Sequence, residues 1–385
     1  MSARAPLAVY VHIPFCSSRC GYCDFNTYTA PELGHSVARD TFHDVLIEEI
    51  RRAAGEFDGR EITSVFFGGG TPTLLGASAL IDILHALDSQ IGLAADAEVT
   101  TEANPDSVDE SMLVDLRAGG FTRISLGMQS SARHVLSILD RTHTPGRSSE
   151  MARAARGAGF DHVNLDLIYG TPGESDEDLA ASLAEVIDAG VDHVSAYALI
   201  VEPGTPLARR IALGEVDRPD DDVAAARYEA IDDALAAAGF AWYEVSNWAR
   251  PGGACRHNHA YWTGADWVGI GPGAHSHVAG RRWWNVKHPR RYAELLAAAA
   301  QPIDDSEVLS AEQQHMEHVM LAVRLRAGLV LAQVGLSSAA PVVRRLLTDG
   351  LIDPDALAEG TLVLTRRGRL LADAVIRALL ADQSG

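Results

Sequence analysis

Short apolar runs alternate with longer amphipathic stretches over the first two thirds of the chain. The apolar runs are 7–13, 62–67, 97–102, 122–128, 162–168 and 193–200, and the stretches between them are 38–54, 77–89, 109–118, 147–158 and 176–189. Continuous apolar runs are typical of strands buried on both faces, and the spacing of the stretches is helical. The pattern predicts six β/α units in a parallel arrangement, either a doubly wound sheet or a complete or partial barrel.

Chemistry-bearing residues follow the predicted strands at their carboxyl ends. They are Cys16–Cys23, Gly68–Pro72, Glu102–Pro105, Gln129 and Asp166 with the turn 169–172. Parallel β/α folds bind ligands at this edge of the sheet. We therefore expect these residues to share one site.

The remaining third has a different pattern. Residues 219–238 are helical, and 241–288 are rich in Trp, His, Asn and Gly, which predicts loops and short strands. After residue 304 the order is helix, helix, short hairpin and helix, a winged-helix-like outline. Three domains follow: a barrel over 1–240, a linking segment over 241–303 and a C-terminal module over 304–385. That module has a net negative charge, which favours packing or partner binding over DNA binding.

Composition and net charge limit the classes of partner that the protein can bind. The formal net charge of −20 opposes binding to nucleic acid and to anionic membranes. No apolar run is long enough to span a bilayer, although peripheral association with a membrane stays open. The first residues lead directly into a strand without an export signal, so a cytoplasmic protein is expected.

Three cysteines form a C-x3-C-x2-C run at Cys16, Cys20 and Cys23. Three thiolates can hold a [4Fe–4S] cluster and leave its fourth iron open for another ligand. A zinc site normally needs four protein ligands, and the next cysteine, Cys255, is over two hundred residues away. An odd trio also argues against disulfides. The spacing predicts an iron–sulfur centre.

Two other features have both a functional and a structural interpretation. The turn Gly68–Pro72 lets the backbone approach a small molecule closely, or it is simply a tight turn. Glu102 and Asp166 could accept hydrogen bonds from a ribose hydroxyl or an ammonium group. Alternatively, each could pair with an arginine such as Arg123 or Arg141.

A second cluster stands in the segment 255–262, which contains Cys255, His257, His259, Tyr261 and Trp262. Imidazole and thiolate are common axial ligands of heme iron, and aromatic rings pack against a flat macrocycle. A polar loop is the structural alternative. His275 and His277 are further candidate ligands.

Taken together, these motifs resemble those of the radical S-adenosylmethionine superfamily, and within it the oxygen-independent coproporphyrinogen III dehydrogenase group. The likeness covers nearly the whole chain. It rests on the cysteine loop and on the segments 9–16, 68–72, 102–105, 127–130 and 166–170. The resemblance implies a partial (β/α)6 barrel followed by a helical, winged-helix-like module.

Two features separate the branches of that group. The dehydrogenases carry a further cysteine where this chain has Phe25, whereas Gly21–Asn26 and the H-N-x-x-Y-W motif at 257–262 resemble the HemW-type heme chaperones. The resemblance thus implies heme binding and transfer to an acceptor protein, with an electron donor for the cluster. The alternative is the dehydrogenase itself, which removes CO2 from propionate side chains by radical chemistry.

The resemblance also implies a ligand set. Cys16, Cys20 and Cys23 would hold the cluster, and S-adenosylmethionine would occupy the open iron. The residues implied to contact it, or to line a pocket for a second such molecule, are Tyr10, Gly70, Glu102, Tyr22, Thr71, Gln129, Arg141 and Asp166. For heme, His257 is the first choice of iron ligand, with Cys255 and His259 as rivals.

Overall fold

The computed structural model describes residues 6–34, 37–56 and 59–383. The expectation that no export signal is present concerns residues 1–5, which lie outside this range. Within it, no helix is long and apolar enough to cross a membrane.

The described part of the chain has a strand at each of the six predicted apolar runs and further short strands outside them. They are β1 (Leu7–Ile13), β2 (Phe15–Cys16), β3 (Tyr28–Thr29), β4 (Ile62–Gly69), β5 (Leu93–Ala103), β6 (Arg123–Gln129), β7 (His162–Tyr169), β8 (His193–Ala198), β9 (Ala241–Glu244), β10 (Asn247–Ala249), β11 (Asp266–Ile270), β12 (His275–Val278), β13 (Arg281–Asn285), β14 (Ile303–Val308), β15 (Leu329–Val330) and β16 (Thr361–Leu362).

A helix lies at each of the five predicted amphipathic stretches, and further helices lie elsewhere in the described residues. They are α1 (Ala30–Leu33), α2 (Phe42–Ala53), α3 (Ala77–Gln90), α4 (Glu110–Ala118), α5 (Arg133–Ile138), α6 (Arg147–Gly157), α7 (Asp176–Asp188), α8 (Pro206–Ala212), α9 (Asp221–Ala237), α10 (Arg256–Trp262), α11 (Pro289–Ala297), α12 (Ala311–Ala322), α13 (Pro341–Thr348), α14 (Pro354–Ala358), α15 (Arg366–Leu370) and α16 (Ala372–Gln383). Short 3₁₀ turns lie at Arg39–Thr41, Ala54–Glu56, Pro72–Leu75, Pro105–Ser107 and Leu331–Val334.

Local sequence sets several helix starts. Ser175 begins α7 with a reciprocal capping box to Asp178, and Asp220 accepts from two backbone N–H groups at the start of α9. Such caps satisfy N–H groups that have no partner inside the helix.

One large open sheet organises the fold, in the order β14-β13-β12-β11-β1-β4-β5-β6-β7-β8-β10-β9. Neighbours from β11 through β8 are parallel, and the strands beyond them at both edges are antiparallel. The six predicted β/α strands are confirmed, and the sheet does not close into a barrel. The carboxyl ends of the parallel strands meet at one edge.

The segment 241–303, expected to link two domains, supplies strands to both edges of this sheet. Its strand β11 pairs with β1, while β10 pairs with β8. Short strands of this kind complete a sheet by pairing with an existing edge, which a pattern of single residues does not reveal. The domain boundaries at 240 and 303 stay a prediction.

The described residues form three hydrophobic clusters, and the two largest occupy different parts of the chain. The larger lies between the sheet and its covering helices, and the smaller lies within residues 319–379. A buried contact joins the C-terminal part to α9, because Arg369 donates to Asp232 at 2.6 Å and stacks over Trp242. Within this part, β15 pairs with β16.

Candidate functional site

A cavity of about 390 Å³ opens at the carboxyl ends of the parallel strands. The loop with the three cysteines forms one wall, and residues from the ends of β4, β5, β6 and β7 form the others. Of the residues predicted for the cluster and S-adenosylmethionine, those lining it are Cys16, Cys20, Tyr22, Cys23, Gly70, Thr71, Glu102, Gln129, Arg141 and Asp166. Tyr10 lies below them in β1.

The cysteine loop is held by backbone contacts. Gly21 donates to the carbonyl of Leu139 at 3.1 Å, and the N–H of Cys23 donates to the carbonyl of Cys20 at 3.2 Å. All three cysteines are free and partly buried. Burial raises the pKa of the Cys16 thiol to about 11. Metal ligation would therefore displace a proton from this sulfur.

The glycine turn runs directly beside the cysteine loop. Gly70 donates to the carbonyl of Ile13 at 2.8 Å, and Thr71 donates to that of Phe15 at 2.7 Å. A Cβ on Gly70 would lie 2.4 Å from the carbonyl oxygen of Phe15, closer than atoms can approach. The glycine is therefore required for the two segments to lie together.

Glu102 points from the end of β5 into the cavity. Its carboxylate accepts from the N–H of Gly69 at 3.1 Å. Burial, and then the negative charge of Asp166, raise the pKa of Glu102 to about 8. Arg123, which the sequence offered as a partner of Glu102, pairs instead with Glu98. Glu102 therefore keeps acceptor capacity for a ligand.

Asp166, in β7, belongs to a hydrogen-bonded group of side chains and lines the cavity. It accepts from Ser125 at 3.0 Å and from Asn164 at 2.7 Å. Burial raises the pKa of Asp166, although these bonds and the nearby charge of Arg141 oppose that shift. Arg141 itself donates to the carbonyl of Gly127 at 2.8 Å and contacts the Cys20 sulfur at 3.5 Å. It thus stands between the cysteines and the carboxylates.

Gln129 and Tyr10 are two further residues predicted for the S-adenosylmethionine site. Gln129 is buried and adopts a positive φ of 64°, so the end of β6 is strained where it meets the cavity. The hydroxyl of Tyr10 lies 3.0 Å from Nδ1 of His12, whose Nε2 lies 2.9 Å from the carbonyl of Asn26.

The donor set fits a cluster better than a single ion. Among the described residues, no three His, Cys, Asp or Glu side chains converge to hold one metal ion. In a [4Fe–4S] cluster each thiolate binds a different iron, so the sulfurs stand apart around a wider space. The cavity beside these cysteines supplies such a space.

The second cluster lies at the other end of the strands. Helix α10 carries the H-N-x-x-Y-W motif and contacts the amino-terminal half of β4 and β5 through Ser64 and Glu98. Glu98 precedes Glu102 by four residues in β5, about 13 Å along the strand. The His257 ring stacks on Phe66, and Phe66 in turn stacks on Tyr10. No residue of α10 lines the cavity beside the cysteines.

Both ring nitrogens of His257 are engaged. Nδ1 lies 3.1 Å from the hydroxyl of Ser64, Nε2 lies 3.0 Å from that of Tyr261, and the ring stacks on Phe66. The side chain is 1% exposed, and burial lowers its pKa to about 4. In this arrangement His257 has no free nitrogen for iron.

Cys255 is also buried, at the start of α10. Its thiol donates to Glu98 at 3.3 Å, and burial raises its pKa. Glu98 in turn accepts from Arg123 at 3.0 Å, and Arg123 donates to the carbonyls of Gly253 and Ala254. Of the three predicted heme residues, His259 alone is partly exposed. His275 and His277 lie on β12, against Trp284 and Trp267.

Sequence reasoning missed two parts of these sites. The first is the buried pair of Glu98 and Arg123, which only the strand register brings together. The second is an apolar rim at the cavity mouth formed by Phe25, Tyr197 and Ile200, with Phe25 64% exposed. The sequence drew attention to Phe25 because the dehydrogenases carry a cysteine there, but nothing in it connected Phe25 with Tyr197 and Ile200.

Comparison with known proteins shows the family to which the chain belongs. The family model of the radical SAM superfamily matches residues 10–186. The heme chaperone HemW of Mycobacterium tuberculosis is 55% identical over 375 residues, covering 97% of this chain and 95% of that protein. HemW of Escherichia coli is 33% identical over 396 residues, covering 98% and 99%. The solved structure of coproporphyrinogen III oxidase (HemN) from Escherichia coli matches with a TM-score of 0.83 and 25% identity, covering 97% of this chain and 90% of that one.

The fold and the cysteine-lined cavity thus define a radical SAM protein, a class that implies a [4Fe–4S] cluster and S-adenosylmethionine. Within that class, the chain belongs to the family of HemW heme chaperones. Both the predicted superfamily and the predicted branch are confirmed.

Proposed function

We propose that this protein binds heme and transfers it to an acceptor protein in the cytoplasm or at the membrane surface. The likeness to HemW over 97% of the chain carries the proposal. Phe25 supports it, because an exposed phenylalanine stands where the dehydrogenases carry a further cysteine. An electron donor for the cluster is a further partner that we infer.

Cys16, Cys20 and Cys23 would hold the cluster. S-adenosylmethionine would lie between the glycine turn and Glu102, with Arg141 and Asp166 beyond it. When bound, the cluster supplies an electron and an iron site with an open position. The chain's own residues orient the ligand: Glu102 offers a carboxylate to hydroxyl or ammonium donors, and Gly70 lets the backbone approach closely.

Heme ligation by His257 requires α10 to leave the position described above. The ring must give up its bonds to Ser64 and Tyr261, and the helix must separate from Glu98. His259 needs no such movement because it is already partly exposed. We therefore propose that α10 has a seated state that withholds His257 and an open state that presents it.

The test is heme delivery. Heme-loaded, anaerobically reconstituted protein is mixed either with heme-depleted membranes from a heme-deficient bacterial strain or with apomyoglobin as a passive sink. Heme transfer is followed by absorption spectra. Faster transfer of heme to the membranes than to apomyoglobin supports a chaperone. Equal rates to both would reduce the activity to passive release and contradict the proposal.

The alternative function is that of the dehydrogenase, and the structural similarity to HemN supports it. It predicts that coproporphyrinogen III stimulates formation of 5′-deoxyadenosine by the reduced protein. The chaperone account predicts no such stimulation. Chromatography of the reaction products, with and without the porphyrinogen, separates the two functions.

A further inference from the structure

A buried row of polar side chains crosses three neighbouring strands beside the cavity with the cysteines. Asn164 of β7 lies between Ser125 of β6 and His193 of β8, because the parallel register pairs these positions. Their side chains meet on the face of the sheet that also carries Asp166, two residues further along β7. His193 is 2% exposed, and neither His193 nor Asn164 lines the cavity. The row therefore supports a cavity residue from inside the sheet.

The amide of Asn164 forms hydrogen bonds in both directions along this row. Its nitrogen donates to the Asp166 carboxylate at 2.7 Å, and its oxygen lies 2.7 Å from Nδ1 of His193. An ionised carboxylate can only accept hydrogen bonds, so the amide nitrogen must face Asp166 and the amide oxygen must face the imidazole. Nδ1 of His193 therefore carries the hydrogen and donates it to Asn164.

Tyr243 fixes the other side of the His193 ring. The tyrosine hydroxyl lies 2.8 Å from Nε2, and the two ring centroids are 5.6 Å apart. Burial, and then the charge of Arg123, lower the pKa of His193 well below its ordinary value, so the imidazole is neutral. With the hydrogen on Nδ1, Nε2 can only accept, and the tyrosine hydroxyl is the donor. The three hydrogen bonds of this chain thus all point from Tyr243 toward Asp166.

The direction of the chain fixes the carboxylate that faces the cavity. Asp166 also accepts from Ser125 at 3.0 Å, so each of its two oxygens receives a donor from within the sheet. Its remaining acceptor capacity is left for a ligand in the cavity that it lines. If the Asn164 amide turned over, its oxygen would face this carboxylate and repel it. The Nδ1–H of His193 opposes that turn, because it needs the amide oxygen as its acceptor.

We infer that His193 is a positioning residue of the S-adenosylmethionine site, because it holds the Asn164 amide in the orientation that fixes Asp166 for hydroxyl or ammonium donors of the ligand. The inference rests on the proposed function only in that S-adenosylmethionine occupies this cavity. A histidine that only filled space would be replaced best by a side chain of similar size. The inference instead requires a hydrogen-bond donor at the position of Nδ1.

Two amide substitutions separate these roles. In His193→Asn the amide nitrogen can take the position of Nδ1, whereas in His193→Gln, which is closer to histidine in size, the amide lies nearer the position of Nε2. S-adenosylmethionine binding to anaerobically reconstituted protein is measured by calorimetry. We expect His193→Gln to bind about tenfold more weakly, since the charge-assisted bond to Asp166 is weakened. His193→Asn should bind much more like the unaltered protein.

A double variant tests whether His193 acts through Asn164. Asn164→Leu removes the amide and should itself weaken S-adenosylmethionine binding about tenfold or more. Adding His193→Gln to it should weaken binding no further, because the link between the two side chains is already broken. If the two effects add in full, His193 does not act through Asn164 and the inference is wrong.

The control is Tyr228→Phe, which removes a buried hydroxyl bonded to Val245 and Arg369, away from the cavity. It should leave S-adenosylmethionine affinity unchanged. Iron content and urea unfolding of every variant distinguish weaker binding from loss of the cluster or the fold. His193→Asn binding as weakly as His193→Gln, or His193→Gln binding like the unaltered protein, overturns the inference.

Failure of the proposed function gives a different result. Loss of heme binding and transfer, beside the affinities expected for the His193 variants, would contradict the heme chaperone and support the role of His193. Absence of S-adenosylmethionine binding by the unaltered protein, with its cluster in place, would contradict the assigned cofactor and this inference together.

Discussion

We expect the buried pair of Glu98 and Arg123 to hold α10 in its seated position. Glu98 accepts from Arg123, from the N–H of His257 and from the thiol of Cys255. Glu98→Gln removes the negative charge that pairs with the buried Arg123 guanidinium and leaves it, apart from the glutamine oxygen, only the carbonyls of Gly253 and Ala254 as hydrogen-bond acceptors. Removing one partner of a buried pair costs about 3–5 kcal/mol. We take about 3 kcal/mol, because glutamine retains one acceptor oxygen, and this corresponds to about a hundredfold shift in the opening equilibrium.

Reaction of Cys255 with a thiol reagent reports that opening. In a background with Cys16, Cys20 and Cys23 changed to serine, Cys255 is the only thiol left. The Glu98→Gln substitution should accelerate its labelling by about a hundredfold if α10 opens locally.

The control for this experiment is Glu110→Gln, an exposed position on α4. Circular dichroism of both variants checks that the fold is retained. If the Glu98 variant labels no faster than the Glu110 variant, the pair does not hold α10, and our account of the seated state is wrong.

The remaining predictions concern the cluster, the cofactor and the C-terminal part. Cys23→Ala should abolish the iron–sulfur absorption of reconstituted protein, whereas Cys255→Ala should retain it; equal iron contents would contradict the assignment. Burial raises the pKa of Glu102 to about 8, so S-adenosylmethionine affinity by calorimetry should rise as pH increases through that value, and Glu102→Gln should flatten the profile. Arg369→Leu should lower the free energy of unfolding by about 3–5 kcal/mol in urea. Arg377→Leu, exposed on α16, should change it little; similar losses would refute the buried pair.

The sign of the Glu102 prediction follows from linkage. The pKa of this carboxyl is raised in the folded protein, so its contribution to stability is complete below the unfolded value of 4.5 and is lost as pH rises through about 8. Above that pH the carboxylate is present without a proton to displace. The affinity for a ligand that needs the carboxylate therefore increases over the same pH range in which the unliganded protein loses stability.

The cavity at the strand ends was predictable because two rules combine there. Strand positions follow from apolar runs, and parallel strands bring their carboxyl ends to one edge. Cys16, Gly70, Glu102 and Asp166 were therefore predicted to meet although up to 150 residues separate them. Their roles toward the cluster and S-adenosylmethionine stay predictions.

The surroundings of the H-N-x-x-Y-W motif could not be predicted in the same way. The motif gives the residue types, but the burial of His257 depends on which strands α10 packs against. Glu98 and Arg123 meet only through the register of β5 and β6, which apolar patterning leaves undetermined. The pairing of β11 with β1 was hidden for a similar reason, since a five-residue strand has too little pattern.

Heme titration of the anaerobically reconstituted protein, read from the Soret absorption, tests the central claim most directly. The account predicts saturable binding to the chain that is weakened by His257→Ala and retained by His288→Ala, an exposed histidine before α11. Heme binding no stronger than that of an unrelated acidic protein would contradict the account.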